Sequence, residues 1–454
     1  MFISRDNKKI FWQWWLIAAI VYLVIAGVIT WHYGTNFLMP LNDDTAHHIQ
    51  LAKNLINYRT FSLDGLDGKY ETLPPKPTNF LTPGYALWLA LIYLIFKSFI
   101  PAIFIGAIIF ALSAPLMYLL AQEITGSDKI AFWSAFIFIF EPLSVYHSGL
   151  LFTEQIFVPL FLAGVYGFIK YFKNGGLNLL ALSLIAFSFA TLIRPAIFYF
   201  LPALVLIVIF KEFKISIKRA LILGIISIIL AYSIIGIWLI RNKIVLNTWQ
   251  VSSNTGAILF GYHYEPLTRS LGLKPESQKI LGGGRDIFSV EYNKKLGEFA
   301  IKEILNHKPA YFKMRLVYFP LFFVSNGYDN IVSRLTGSEG FDKYFRWDLV
   351  SSFQKGDILL GVKKLFNAPK TITAILSGAL FWFLVSLSAI IGFWRLLKER
   401  ENLIVMFIGL LIVYFAFVTT PLINARYRLP INSFIFIFAV SGFYFFKEKL
   451  KQWI

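Results

Sequence analysis

The chain has 454 residues, of which 57% are hydrophobic, 18% aromatic and only 15% charged, where soluble domains carry roughly 25% charged residues. A soluble fold this apolar could not cover its surface with polar groups, so the composition selects a bilayer as solvent. The net charge of +18 does not call for nucleic acid, because Lys and Arg sit in short loops between apolar runs, the positive-inside pattern, with anionic lipid as a further partner. The absence of cysteine excludes disulfides, thiolate metal sites and cysteine nucleophiles.

In chain order, Arg5, Lys8 and Lys9 precede an apolar run from Ile10 to Thr30, with Trp12, Trp14 and Trp15 at one end and Trp31 and Tyr33 at the other. This reads as an uncleaved anchor that leaves the N-terminus in the cytoplasm. A polar external loop follows over 32–83, and 84–98 predicts a short helix lying at the outer surface. Further spans are expected at 101–121, 129–148, 155–172, 177–193, 196–210 and 220–240. Counting crossings puts the loops Lys173–Gly176 and Lys211–Arg219 inside, where their basic residues belong. Residues 241–370 are polar and external, with helices expected at 288–306 and, at the interface, 310–324. Spans at 372–394, 403–421 and 428–446 complete about ten, with both termini cytoplasmic. The expectation is an all-α polytopic membrane protein. It divides into a transmembrane module 1–240 with a first external loop 32–100, an external region 241–370, and C-terminal helices 371–454.

Unusual polar residues gather on the predicted outer face. Asp43, Asp44, His47, His48 and Lys76 fall in the first external loop, His147 and Glu154 flank the second, Arg194 and Arg241 end spans, and Arg426 and Arg428 lie between the last two spans. Each also has an ordinary reading. Asp44 is a good N-cap for the helical pattern that follows it, and Glu154 suits a helix N-terminus. A lone arginine commonly snorkels to headgroups. Glu141, inside an expected span, pairs with a neighbour or faces a cavity. Adjacent His47 and His48 point to different sides of a helix, which disfavours a shared metal ion. Leu281–Asp286, "LGGGRD", lacks the Gly-Lys-Ser/Thr of a P-loop and reads as a turn. Two carboxylates and several arginines at one lipid interface suit a specific task. Guanidinium forks hold a lipid-linked phosphate while a carboxylate takes the proton of an incoming hydroxyl.

These residues also occur in a familiar order. Asp44, His48, Ala52, Asn54 and Leu55, then "TPGYALWLA" (Thr82–Ala90), "LLFTEQIF" around Glu154, "TLIRPA" (Thr191–Ala196), "IWLIRN" (Ile237–Asn242) and "ARYRLP" (Ala425–Pro430), together resemble the GT-C membrane glycosyltransferases. The resemblance is to the branch of protein O-mannosyltransferases and lipid A aminoarabinose transferases, with His48 in place of the usual tyrosine. It implies transfer of a sugar from a polyprenyl-phosphate donor to an acceptor hydroxyl on a glycan, lipid or protein outside the cytoplasmic membrane, with inversion. Asp44 would be the general base and Glu154 the second carboxylate, orienting a substrate or helping to hold a divalent cation. Asp43, His48, Lys76, Tyr85, Arg194, Arg241, Arg426 and Arg428 would contact the substrates. A lipid or solute transporter is the alternative, and a lipid-linked glycan polymerase or ligase a third reading. A transporter would place its charges near the bilayer midplane, whereas most of the charge here is at one face, with Glu141 the main counter-evidence.

Overall fold

The computed structural model describes residues 5–34, 44–66, 68–276, 285–336, 372–399, 402–422 and 424–453, with isolated positions between 352 and 363. Most of these residues are helical, with no strand among them, and the chain divides into two compact units, Met1–Ser252 and Ser253–Ile454.

The first unit opens with α1 (Arg5–Tyr33), whose 29 residues rise about 43 Å, longer than a hydrocarbon core of about 30 Å. Trp12, Leu16, Ile20, Val24 and Val28 recur every four residues as an exposed apolar stripe. The opposite face, Ala18, Ala19, Tyr22 and Ala26, is buried. Small residues inward and large apolar residues outward are what a helix packed between protein and lipid requires. The amphipathic α2 (Asp44–Tyr58) and the short α3 (Pro83–Phe96) follow. Then come α4 (Ile100–Phe110) and α5 (Ser113–Thr125), which together make one span, and α6 (Asp128–Phe140) and α7 (Pro142–Ser148). The unit closes with α8 (Glu154–Asn174), α9 (Leu177–Ile193), α10 (Leu201–Phe213) and α11 (Ile217–Leu246). Lys173 and Lys170 reach Glu123 near the end of α5, and Lys211 near the end of α10 donates to the carbonyl of Tyr171 near the end of α8. These contacts gather one end of the bundle.

The sequence expects an unbroken span over 129–148 and leaves Glu141 undecided. The helix is broken there, with α6 and α7 at 58°. Glu141 has extended backbone, Pro142 follows it, and its carboxylate caps α7 by accepting from the backbone N–H of Ser144 at 2.8 Å and its hydroxyl at 3.0 Å. A buried carboxylate so placed satisfies a helix start that the proline creates.

Among the described residues, seven helices are long and apolar enough to cross a membrane, or eight with the bent pair, against the expected ten. The shortfall lies in Leu177–Ile193 and Leu403–Thr419, which are apolar but of only 17 residues each. Length does not disqualify α9. Arg194, immediately after it, pairs with Glu154 at the start of α8, so the α8–α9 hairpin closes and α9 runs back along α8. The structure also carries α11 to Leu246, beyond the expected 240, so Arg241 lies within the helix.

In the second unit, α12 (Thr255–Ile258), a π-helical turn (Leu259–Tyr264) and α13 (Glu265–Ser270) pack on α14 (Val290–Asn306). Their core holds Phe260, Tyr264, Tyr292 and Leu296. α15 (Lys308–Val324) and α16 (Tyr328–Thr336) lead to α17 (Ile372–Glu399), α18 (Asn402–Thr419) and α19 (Leu429–Trp453). The expected helices at 288–306 and 310–324 thus appear as α14 and α15. Of the Leu281–Asp286 turn, residues 281–284 lie outside the described residues. α17 and α19 cross with backbones in contact, since a Cβ on Gly392 would collide with the carbonyl of Phe438 and one on Gly442 with that of Ser388. Arg315 of α15 donates to the carbonyls of Phe417 and Thr420 at the end of α18, where a helix leaves carbonyl groups without intrahelical partners. His263 is bonded to the Tyr311 hydroxyl at 2.7 Å, and burial together with Arg315 lowers its pKa to about 4, so the ring is neutral at neutral pH.

Candidate active site

Asp44 is the first residue of α2 and is half-buried. The next residue anchors it: the Thr45 hydroxyl donates to the carbonyl of Leu151 at 3.0 Å, fastening the start of α2 to the segment that leads into Glu154. Glu154 starts α8 and is fully buried. One of its oxygens accepts from Nη1 of Arg194 at 2.6 Å and the other from the Thr153 hydroxyl at 3.2 Å. The Arg194 guanidinium also lies 5.7 Å from the ring centre of Phe157. The backbone beside Arg194 is itself held, because the Thr82 hydroxyl, just before α3, donates to the carbonyl of Ile193 at 3.1 Å.

The "TPGY" segment has a physical explanation. Pro83 opens α3, where its missing N–H is no loss. Gly84 sits against α9, and a Cβ there would stand 2.8 Å from the carbonyl oxygen of Leu192. Tyr85 is buried between Trp88, stacked at 5.4 Å, and His48 of α2, edge-on at 5.0 Å. His47 faces Phe80 instead, at 6.3 Å. The two histidines therefore diverge, as helical geometry demands. Among the described residues no group of three His, Asp or Glu side chains is arranged to hold a metal.

Arg241 closes the ring of elements. It donates to the carbonyl of Thr78 at 2.9 Å and to the Asn242 side chain at 3.0 Å, over the faces of Trp238 at 4.8 Å and Phe61 at 5.9 Å. Asn79 and Asn242 both donate to the carbonyl of Gln250, and Ser252 donates to that of Phe80. The loop before α3 is thereby pinned to the end of α11. Asp44, His48, Tyr85, Glu154, Arg194 and Arg241 thus come from separated stretches of sequence to one end of the first unit.

Other expected positions behave differently. Asp43 lies outside the described residues. Lys76 is exposed and paired with Glu71 at 3.0 Å. Arg426 is half-buried in the second unit. Arg428 is fully buried there and fastens three helices: it donates to the carbonyls of Phe322 and Phe323 of α15 and to Asn432 of α19, and its guanidinium lies 3.6 Å from the centre of the Trp382 ring of α17.

Sequence reasoning quoted Asn54 without giving it a role. Fully buried, it donates to the carbonyls of Ser62 and Asp64 and accepts from Gln50 and the Tyr70 hydroxyl, so one amide organises the external loop after α2. The Ala-x-Asn-Leu spacing was its only trace in the sequence.

Residues 84–255 match the family model for dolichyl-phosphate-mannose-protein mannosyltransferase. That family is part of the GT-C superfamily, and the match bears out the resemblance read from the sequence. The match and the apolar helices together support a multi-pass membrane protein of all-α GT-C type with glycosyltransferase activity. The mannosyltransferase match includes Tyr85, Glu154, Arg194 and Arg241, while Asp44, Arg426 and Arg428 lie outside it. No curated protein matches the chain.

Proposed function

We propose that the protein transfers a sugar from a polyprenyl-phosphate donor to an acceptor hydroxyl on the extracytoplasmic side of the membrane, with inversion, and that Asp44 is the general base. The observation that supports this reading is the tie between Thr45 and Leu151, which fastens the start of α2, where Asp44 stands, to the segment leading into the buried Glu154–Arg194 pair. In the reaction the acceptor oxygen forms a bond to the anomeric carbon as the bond from that carbon to the phosphate oxygen breaks. Asp44 takes the hydroxyl proton, and polyprenyl phosphate leaves with its charge neutralised by arginine. Arg194 is assigned to the phosphate, with Glu154 fixing its orientation. Arg241, held over Trp238 with its neighbours pinned, is the second candidate. Arg428 is assigned to the framework of the second unit, and Arg426 is a substrate contact by the resemblance alone.

The test uses protein in liposomes with radiolabelled polyprenyl-phosphate sugars and envelope acceptors. Replacing Asp44 by Asn keeps the size of the side chain and removes the base, and transfer is expected to fall by about 10²-fold or more. Equal transfer by the variant removes Asp44 as the base. Movement of lipid across the bilayer without any transfer would point to the transporter instead.

A further inference from the structure

At the end of the first unit remote from Asp44, a cavity of about 400 Å³ opens between the starts of α9 and α11. Its wall is apolar, formed by Leu177, Ile222, Leu223 and the Tyr171 ring, and its rim carries Ser216, Lys218 and Arg219. The rim charges are held unequally. Glu212, 1% exposed, pairs with Arg219 at 2.5 Å and accepts from the Tyr171 hydroxyl at 2.6 Å, so this carboxylate is directed inward. Lys218 has no carboxylate partner among the described residues. The helix starts add to this: neither Gly176 before α9 nor Ser216 before α11 caps its helix through a side chain, and both residues line the cavity. From the adjoining end of α10 into the start of α11, Phe210, Phe213, Ile215, Ile217 and Leu221 are all more than half exposed, an apolar surface suited to hydrocarbon beside the basic rim.

We propose that this cavity binds an anionic glycerophospholipid, with the headgroup phosphate on Lys218 and Arg219 and the top of an acyl chain against Leu177, Ile222 and Leu223. A free anion would use the rim and leave the apolar wall without purpose, whereas a zwitterionic lipid would gain little from an unbalanced lysine. The site is separate from the proposed sugar-transfer site and does not depend on that activity.

The test is native mass spectrometry of the purified chain, titrated with phosphatidylglycerol and, separately, with phosphatidylcholine bearing the same acyl chains. Wild type is expected to hold phosphatidylglycerol more tightly. Lys218→Gln should weaken that binding roughly fivefold, the effect of one basic residue near an anionic lipid, and leave phosphatidylcholine unchanged. Ile222→Trp keeps the charge but fills the cavity, and should weaken both lipids, with thermal unfolding confirming that each variant is folded. Equal binding of the two lipids by wild type, undiminished phosphatidylglycerol binding by Lys218→Gln, or competition by glycerol 3-phosphate as effective as by whole lipid would each overturn the proposal.

Discussion

At the scale of single residues, the first unit is governed by one buried ion pair. Glu154 is wholly buried and the Arg194 side chain is 11% exposed, so each charge depends on the other for its solvation. Breaking such a pair leaves an uncompensated buried charge, typically at a cost of about 3–5 kcal/mol. Glu154→Gln is therefore expected to lower thermal stability in detergent and to weaken donor use together, because the arginine loses its anchor. Arg194→Lys keeps the charge but not the planar fork that suits phosphate. For this variant the Michaelis constant for the donor should rise while that for the acceptor holds and stability falls less than in Glu154→Gln. Equal changes in both constants would make Arg194 a framework residue only. The pairing itself was not legible in the sequence, where the two residues lie 40 positions apart and each looked like a separate ligand. The same blindness applies to Arg428. Its composition and position suited a phosphate, and only the surrounding carbonyls of α15 reveal a clamp.

At the scale of elements, helical periodicity and apolar runs located most helices to within a few residues, because burial and lipid exposure impose their own period on the sequence. What escaped was the break at Glu141, since apolar residues continue on both sides of it. Also missed were the two extra turns of α11, where polar residues stay helical by leaning on the loop before α3. The "PGY" motif was recognisable as a pattern but not as a mechanism, because the surface it serves, the carbonyl of Leu192, is remote in sequence. Its structural meaning leads to a prediction. In Gly84→Ala the new Cβ meets a backbone oxygen that cannot rotate away, so α3 must shift from the end of α9. Overpacking of this kind costs about 1–3 kcal/mol. Because Tyr85 packs on His48 of α2, transfer should also fall although no proposed substrate contact has been replaced. Unchanged melting temperature and unchanged turnover would show that the close approach is unimportant.

At the scale of the whole molecule, the two ends of the first unit differ in character, and the difference predicts an orientation. One end gathers Asp44, Glu154, Arg194 and Arg241. The other carries Lys170, Lys173, Lys211, Lys214, Lys218 and Arg219, and the hydrogen bonds from Lys173 and Lys211 show that these loops share one side. Basic loops are retained in the cytoplasm, so the proposed orientation puts the sugar-transfer end outward, where an activated lipid-linked sugar would supply the driving force. A chain without cysteine makes this directly measurable, since any introduced thiol is the only one. Thr72→Cys, in the exposed loop between α2 and α3, should react in intact cells with a membrane-impermeant maleimide. Lys214→Cys, between α10 and α11, should react only after the membrane is permeabilised. Labelling of Lys214→Cys from outside would invert the topology. It would place the candidate active site in the cytoplasm, where soluble activated sugars are available, and remove the reason for a lipid-linked donor. It would also move the Lys218 cavity to the outer leaflet, so this measurement decides on which side of the membrane each proposed site must find its ligand.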